Sequence, residues 1–137
     1  MNNTIRLQAP PATRPSGLTQ LVLGSDQQTN LALLLPMIAH LSWQDDSRWL
    51  TWIAPKGIDR GLLERFGVNS RCVRLIHPRR SDACRWIAWE ALASGTSHTV
   101  VVAPEQLSER DLQALEGAAQ TGEAQAIVLQ TRPDHWR

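Results

Sequence analysis

The sequence predicts an α/β fold, a three-layer parallel sheet with helices on both faces. Strand-like and helix-like patterns alternate five times along the chain. Pro55, Pro78, Pro104 and Pro133 follow four of the strands at intervals of about one strand–helix unit, and each favours extended backbone in the residue before it. The run Val100-Val101-Val102 is apolar without alternation, as suits a strand covered on both faces. Right-handed crossovers then place the helices above and below the sheet.

Taken in order, Leu18 to Leu23 reads as the first strand, ending at Gly24. Leu31 to Leu41 is helical and apolar nearly all round, so it is expected to be buried on more than one side. Pro36 either kinks that helix or marks its first turn. Arg48 to Ala54 is the second strand, and Ile58 to Phe66 a short helix that Gly67 stops in the left-handed conformation. Arg71 to His77 is the third strand, alternating basic and apolar residues. Ser81 is expected to cap a helix running to Ser94, with its apolar stripe on Cys84, Ile87, Ala88, Ala91 and Leu92. His98 to Ala103 is the fourth strand. Ser108 caps the next helix, with Asp111 completing a capping box and Leu107 facing Leu112 as a hydrophobic staple. Gly122 ends that helix, and Ala124 to Gln130 is the fifth strand.

A chain of 137 residues has room for one core. The expected organisation is an N-terminal arm over 1–17, a single domain over 18–133 and a short tail over 134–137. With 42% apolar and 20% charged residues the composition is globular, and a net charge of +1 gives no bulk drive toward nucleic acid or an anionic membrane. The most apolar run, Leu31 to Ala39, is about half of what a membrane span needs. Two cysteines, Cys72 and Cys84, make neither a disulfide scaffold nor a zinc cluster, which points to a cytoplasmic protein.

In a parallel sheet, ligands sit beyond the C-terminal ends of the strands. The first loop, Gly24 to Asn30, is therefore where a phosphate cradle belongs. A P-loop spaced from Gly24 would need Gly-Lys-Ser/Thr where the chain has Thr29, Asn30 and Leu31. His40, His77, His98 and His135 fall in separate elements, and no nucleophile elbow is present. The reading is of a non-enzyme with no cofactor and no metal.

Charge and tryptophan are more informative. Between Arg71 and Arg85 there are five arginines and one acid, Asp82, and between Glu105 and Glu123 five acids and one base. The basic strip reads either as a solvated edge strand or as a patch for an acidic protein or a nucleic-acid backbone. Trp49 and Trp52 are three apart on a strand, so they face opposite sides of the sheet. At least one packs under a helix; the other packs under a different helix or helps form a binding face. Trp86 and Trp89 neighbour each other beside their helix's apolar stripe, which reads as a widened core or as a self-association face.

Two blocks carry a family resemblance. Leu33-Leu34-Leu35-Pro36, followed by Ser47-Arg48-Trp49-Leu50-Thr51-Trp52-Ile53-Ala54-Pro55, resembles the SulA cell-division inhibitors of the bacterial SOS response. Leu92, Gly95, Val100-Val101-Val102, Leu107-Ser108-Glu109, Ala118-Ala119, Gly122 and Arg132-Pro133 agree, so the likeness runs from about Leu18 to Pro133. The resemblance implies a RecA-like fold without its phosphate loop. It implies binding to FtsZ, the tubulin-like GTPase of the division ring, at the polymerisation surface, with assembly and GTP turnover blocked sterically. Production after DNA damage and removal by the Lon protease are implied as well. The family's longer C-terminal tail, read by that protease, is not matched.

Carried over residue by residue, the resemblance implies partner-binding roles for Arg48, Ile53, Leu62 and Arg71. Trp52 and Lys56 join them on the same strand and its exit, with Ile53 and Leu62 expected to shape the face from the core. Arg48→Ala and Arg71→Glu are both expected to weaken FtsZ binding with melting points near wild type. Trp86 and Trp89 are the candidates for homodimer contacts. Two other readings stay open, a degenerate RecA-like nucleotide-binding domain and a nucleic-acid binder.

Overall fold

A computed structural model describes residues 16–104 and 107–131. Most of the expected arm and the whole of the expected tail, with Pro133 and His135, lie outside the described residues. The elements are β1 (Gly17–Leu23), α1 (Gln27–Ser42), β2 (Trp49–Ile53), α2 (Arg60–Arg65), β3 (Val73–Ile76), α3 (Cys84–Ala93), β4 (Ser97–Val102), α4 (Glu109–Thr121) and β5 (Gln125–Thr131). Single 3-10 turns over Ser70–Cys72 and Ser81–Ala83 precede β3 and α3.

The strands form one five-stranded sheet in the order β1-β5-β4-β2-β3, with every neighbouring pair parallel. All six residues of β4 are buried, which is why its valines run without alternation. β1 and β3 are the edges. Alternation along the strands divides the interior in two. Val101, Ile127, Leu50 and Trp52 pack with Leu34, Leu35 and Ile38 of α1 and Leu63 of α2. Val100, Val102, Ile53, Ala126 and Val128 pack with Cys84, Ala88 and Leu92 of α3 and Leu115, Ala118 and Ala119 of α4. The expected three layers are therefore present, with α1 and α2 on one face and α3 and α4 on the other.

Several local expectations change. α1 is not buried on more than one side: Leu34, Leu35 and Ile38 are inside, but Leu33 is 68% exposed. Pro36 lies inside this helix, on its exposed side. The carbonyl it leaves unbonded belongs to Ala32, itself exposed, where water can satisfy it. α3 starts at Cys84 with Ala83 at its N-cap, two residues beyond the expected start at Ser81. Ala54, before Pro55, is not extended but has φ 56°; its N–H is held by the Ile76 carbonyl at 2.7 Å.

Other expectations hold. Gly67 has φ 79° after α2, and the capping box of α4 forms, with Ser108 N donating to Asp111 Oδ2 at 2.9 Å and Asp111 N to Ser108 Oγ at 3.1 Å. Leu107 and Leu112 both pack on the α3/α4 core. Gly122 ends α4 with ordinary negative φ. It is needed there because a β-carbon would collide with the backbone carbonyl of Leu92.

Candidate functional site

At the C-terminal ends of the strands a cleft of about 400 Å³ opens between Leu23, Leu31, Trp52, Lys56, Pro104 and Thr131, among others. The first loop on its rim is closed by its own groups. Asp26 is the N-cap of α1, and its carboxylate accepts from Gln28 N at 3.2 Å and Thr29 Oγ1 at 2.6 Å. Asn30 spans Gly24, accepting from its N–H at 3.2 Å and donating to its carbonyl at 2.8 Å. Gln27 donates to the Lys56 carbonyl at 3.1 Å. A helix N-terminus attracts an anion because its first N–H groups are unpaired and its dipole is positive there. Here a side-chain carboxylate fills that role, so a phosphate would meet a like charge. Among the described residues no group of three or more His, Cys, Asp or Glu is placed to share a metal ion.

The opposite end of the sheet holds a dense polar cluster. Asp45 accepts from Ser47 N at 2.9 Å and Ser47 Oγ at 2.6 Å, forming a local turn. It also pairs with Arg48 Nε at 3.2 Å. Arg48 Nη1 reaches the carbonyls of Ser97, Gly122 and Glu123 at 3.3, 3.2 and 3.0 Å. The Arg48 side chain is only 9% exposed. It clamps the starts of β2 and β4 to the turn before β5. The hydrogen bonds from Ser47, then the Arg48 guanidinium, hold the Asp45 carboxyl at about 2. Beside them Arg74 donates to Thr51 Oγ1 at 3.1 Å and to Ser97 Oγ at 3.3 Å, with its guanidinium carbon 5.5 Å from the centre of the Trp49 ring. His98 is buried, its Nδ1 2.9 Å from Thr99 Oγ1 and its Nε2 without a partner among the described residues. Burial pushes its pKa down.

The residues expected at the partner face are thus scattered by environment. Trp52 is 3% exposed and lies under α1, while Ile53 is fully buried on the other side of the sheet. Neither reaches solvent as a contact. Trp49, at 39%, faces away from Trp52 as the spacing requires. Leu62 is half-buried against the α1/α2 core. Lys56 and Arg71 are exposed, Lys56 beside the cleft and Arg71 in the turn before β3. Arg48 is bonded inward as part of the fold's framework, which speaks against the expectation that Arg48→Ala spares the melting point.

The basic strip is divided in the same way. Arg74 turns inward, Arg80 pairs with Asp82 at 2.7 Å and Arg85 with Asp111 at 3.0 Å. That leaves no continuous row of free arginines for a phosphate backbone. Trp86 and Trp89 stack on each other, with centroids 5.5 Å apart and planes 14° from parallel. Trp86 is 62% exposed, so the pair is a surface feature and not a widened core. Sequence reasoning passed over two further exposed aromatics, Trp43 and Phe66, because each falls where a helix pattern is ending.

These features define a parallel α/β domain with a first strand–helix loop sealed by its own side chains and two faces that carry exposed aromatic residues. A family model described as cell division inhibitor SulA matches residues 17–126, and the chain belongs to that family. It is 37% identical over 116 residues to the cell division inhibitor SulA of Pseudomonas aeruginosa, covering 84% of this chain and 72% of that one. Its identity to the SulA of Yersinia enterocolitica is 34% over 124 residues, covering 86% of this chain and 70% of the relative. The crystal structure of SulA from Pseudomonas aeruginosa matches 86% of this chain and all of its own, with a TM-score of 0.79 and 35% identity. No helix among the described residues is long and apolar enough to cross a membrane.

Proposed function

We propose that this protein stops septation during the SOS response by binding FtsZ in the cytoplasm and occupying its polymerisation surface. The inhibitor supplies bulk and no chemistry. A specific interface covers about 800 Å² per partner, enough to exclude the next subunit from a filament end. Loss of assembly then removes GTP turnover, because each GTP site is completed by a neighbouring subunit. Lys56, Leu62 and Arg71 lie on the contact side in this reading, with Trp52 and Ile53 shaping it from within and Arg48 holding its frame. Stacked Trp86 and Trp89 form a homodimer contact on the opposite side. Removal by Lon completes the cycle.

The observation that carries the reading is the sealed first loop in a chain of the SulA family. In a parallel α/β sheet the first strand–helix loop is where a phosphate would bind, and here the Asp26 carboxylate occupies that helix N-terminus. That favours a plug over the nucleotide-binding alternative. Light scattering of FtsZ with GTP, titrated with this protein, tests it. Polymer and GTP hydrolysis should fall together and vanish near equimolar inhibitor. Full assembly at equimolar inhibitor, or saturable ATP or GTP binding by the isolated protein, would sink the reading.

A further inference from the structure

The loop that leaves β2 is left-handed at both ends. Ala54 has φ 56° and Gly57 has φ 72°. Glycine adopts this conformation freely, but in alanine the β-carbon crowds the backbone. Pro55 adds to the cost, since it favours extended backbone in the residue before it. Strain of this kind persists only where the surroundings impose it, and it gathers at sites of contact and ligand binding.

The surroundings here act from two sides. Ala54 N donates to the Ile76 carbonyl of β3 at 2.7 Å, and its methyl group packs against the α3/α4 core. Pro55 is buried and has a fixed φ. From the first turn of α1, Gln27 Nε2 donates to the Lys56 carbonyl at 3.1 Å. A β-carbon on residue 57 would stand 2.9 Å from that nitrogen, so the amide fits against the loop only because Gly57 has none. Gln27, Ala54, Pro55 and Lys56 all line the cleft at this end of the sheet.

What the loop holds out is Lys56. Its side chain is exposed and has no hydrogen-bond or ionic partner among the described residues. The two acids nearest the ends of this wall are committed to helix caps: Asp26 accepts from Gln28 N at 3.2 Å, and Asp59 from Leu62 N at 2.8 Å. A lysine on a flexible loop would lose backbone as well as side-chain freedom on meeting a partner. With its backbone fixed beforehand, only the side chain remains to be ordered.

We propose that Gln27 and Ala54 are positioning residues, which hold the backbone of Lys56 where its ammonium meets the partner. The proposal rests on the FtsZ reading above and names what fixes one of its contacts. A loop kept only for packing would need no link between Gln27 and the ammonium of Lys56.

Binding of the full-length protein to immobilised FtsZ, measured with its variants, tests that link. Lys56→Met should weaken binding about tenfold. Gln27→Met, which keeps the length of the side chain and removes the donor, should weaken it about threefold with a melting temperature within about 1 °C of wild type. Ala54→Gly, free of the strain and of the restraint, should weaken it by a similar factor. Neither substitution should lower the affinity further once Lys56 is already methionine, because each acts through that side chain. Gln113→Ala, exposed on α4, should bind as wild type. Wild-type affinity in Gln27→Met, or losses from Gln27→Met and Lys56→Met that simply multiply in the double variant, would overturn the positioning role and leave the FtsZ reading standing. Wild-type affinity in Lys56→Met would overturn it too, since nothing would then need positioning. If Gln27→Met does not fold, Ala54→Gly decides by the same two comparisons. A wild-type protein that does not bind FtsZ at all overturns both the positioning role and the function it rests on.

Discussion

The start of β2 and the turn before β3 lie at the same end of the sheet, and each contributes an arginine. Arg48 is 9% exposed and shares its donors among three carbonyls and Asp45. Arg71 stands in solvent with no partner among the described residues. The family resemblance gives both the same role, but their surroundings separate them. A guanidinium spent on backbone carbonyls stabilises the fold, and its loss takes a charged donor away from part-buried acceptors. A guanidinium spent on nothing costs the fold nothing to lose and remains available to an acidic partner. Side-chain type suggests a contact; only the acceptors around it decide whether the contact is internal.

The largest effect expected from this contrast is on Arg48. Arg48→Ala should lower stability by about 3 kcal/mol, or roughly 10 °C in melting temperature followed by circular dichroism. Arg48→Lys should recover less than half of this, because one ammonium cannot span the four acceptors. An Arg48→Ala protein that melts like wild type would break the comparison at its root. Gly122→Ala perturbs the same clamp from the other side. Its β-carbon would displace the Leu92 carbonyl and the Gly122 carbonyl that Arg48 holds, at a cost of about 2 kcal/mol in denaturant unfolding. Arg71→Glu should leave the melting temperature within about 1 °C of wild type, as for an exposed site, while weakening FtsZ binding.

The pH dependence is smaller and sharpens the contrast. Asp45 is held at about 2, below its ordinary 3.8. Its contribution is therefore fully present above pH 3.8 and is lost as pH falls through about 2, below which both folded and unfolded states are protonated. Asp45→Asn should flatten that acid limb. The buried His98 has a folded pKa below 6.5, so stability begins to fall as pH drops below 6.5 and the unfolded imidazole takes up its proton. His98→Gln should remove that slope in a urea titration between pH 7 and 5.

The order of strands and helices was legible because patterning at periods of two and 3.6 residues depends on neighbours in sequence. The opposite facing of Trp49 and Trp52 followed from the same period. The capping box at Ser108 was legible for a similar reason, since its partners are three residues apart. The role of Arg48 was not, because two of its acceptors, Gly122 and Glu123, lie 74 and 75 residues away and are backbone groups without a residue signature. Exposure on α1 was misread for a related reason: a helix that is apolar all round does not say which leucine will lack a neighbour, and Leu33 does. Trp43 falls just past the apolar run, and its place is set by a carbonyl on Gly67.

The most direct test sets the two arginine variants side by side in one FtsZ sedimentation assay with GTP, each dosed by its folded fraction. Folded Arg48→Ala should still suppress polymer nearly as well as wild type, and Arg71→Glu, with an unchanged melting temperature, should suppress it several-fold less. Full inhibition by Arg71→Glu together with none by folded Arg48→Ala would contradict the account.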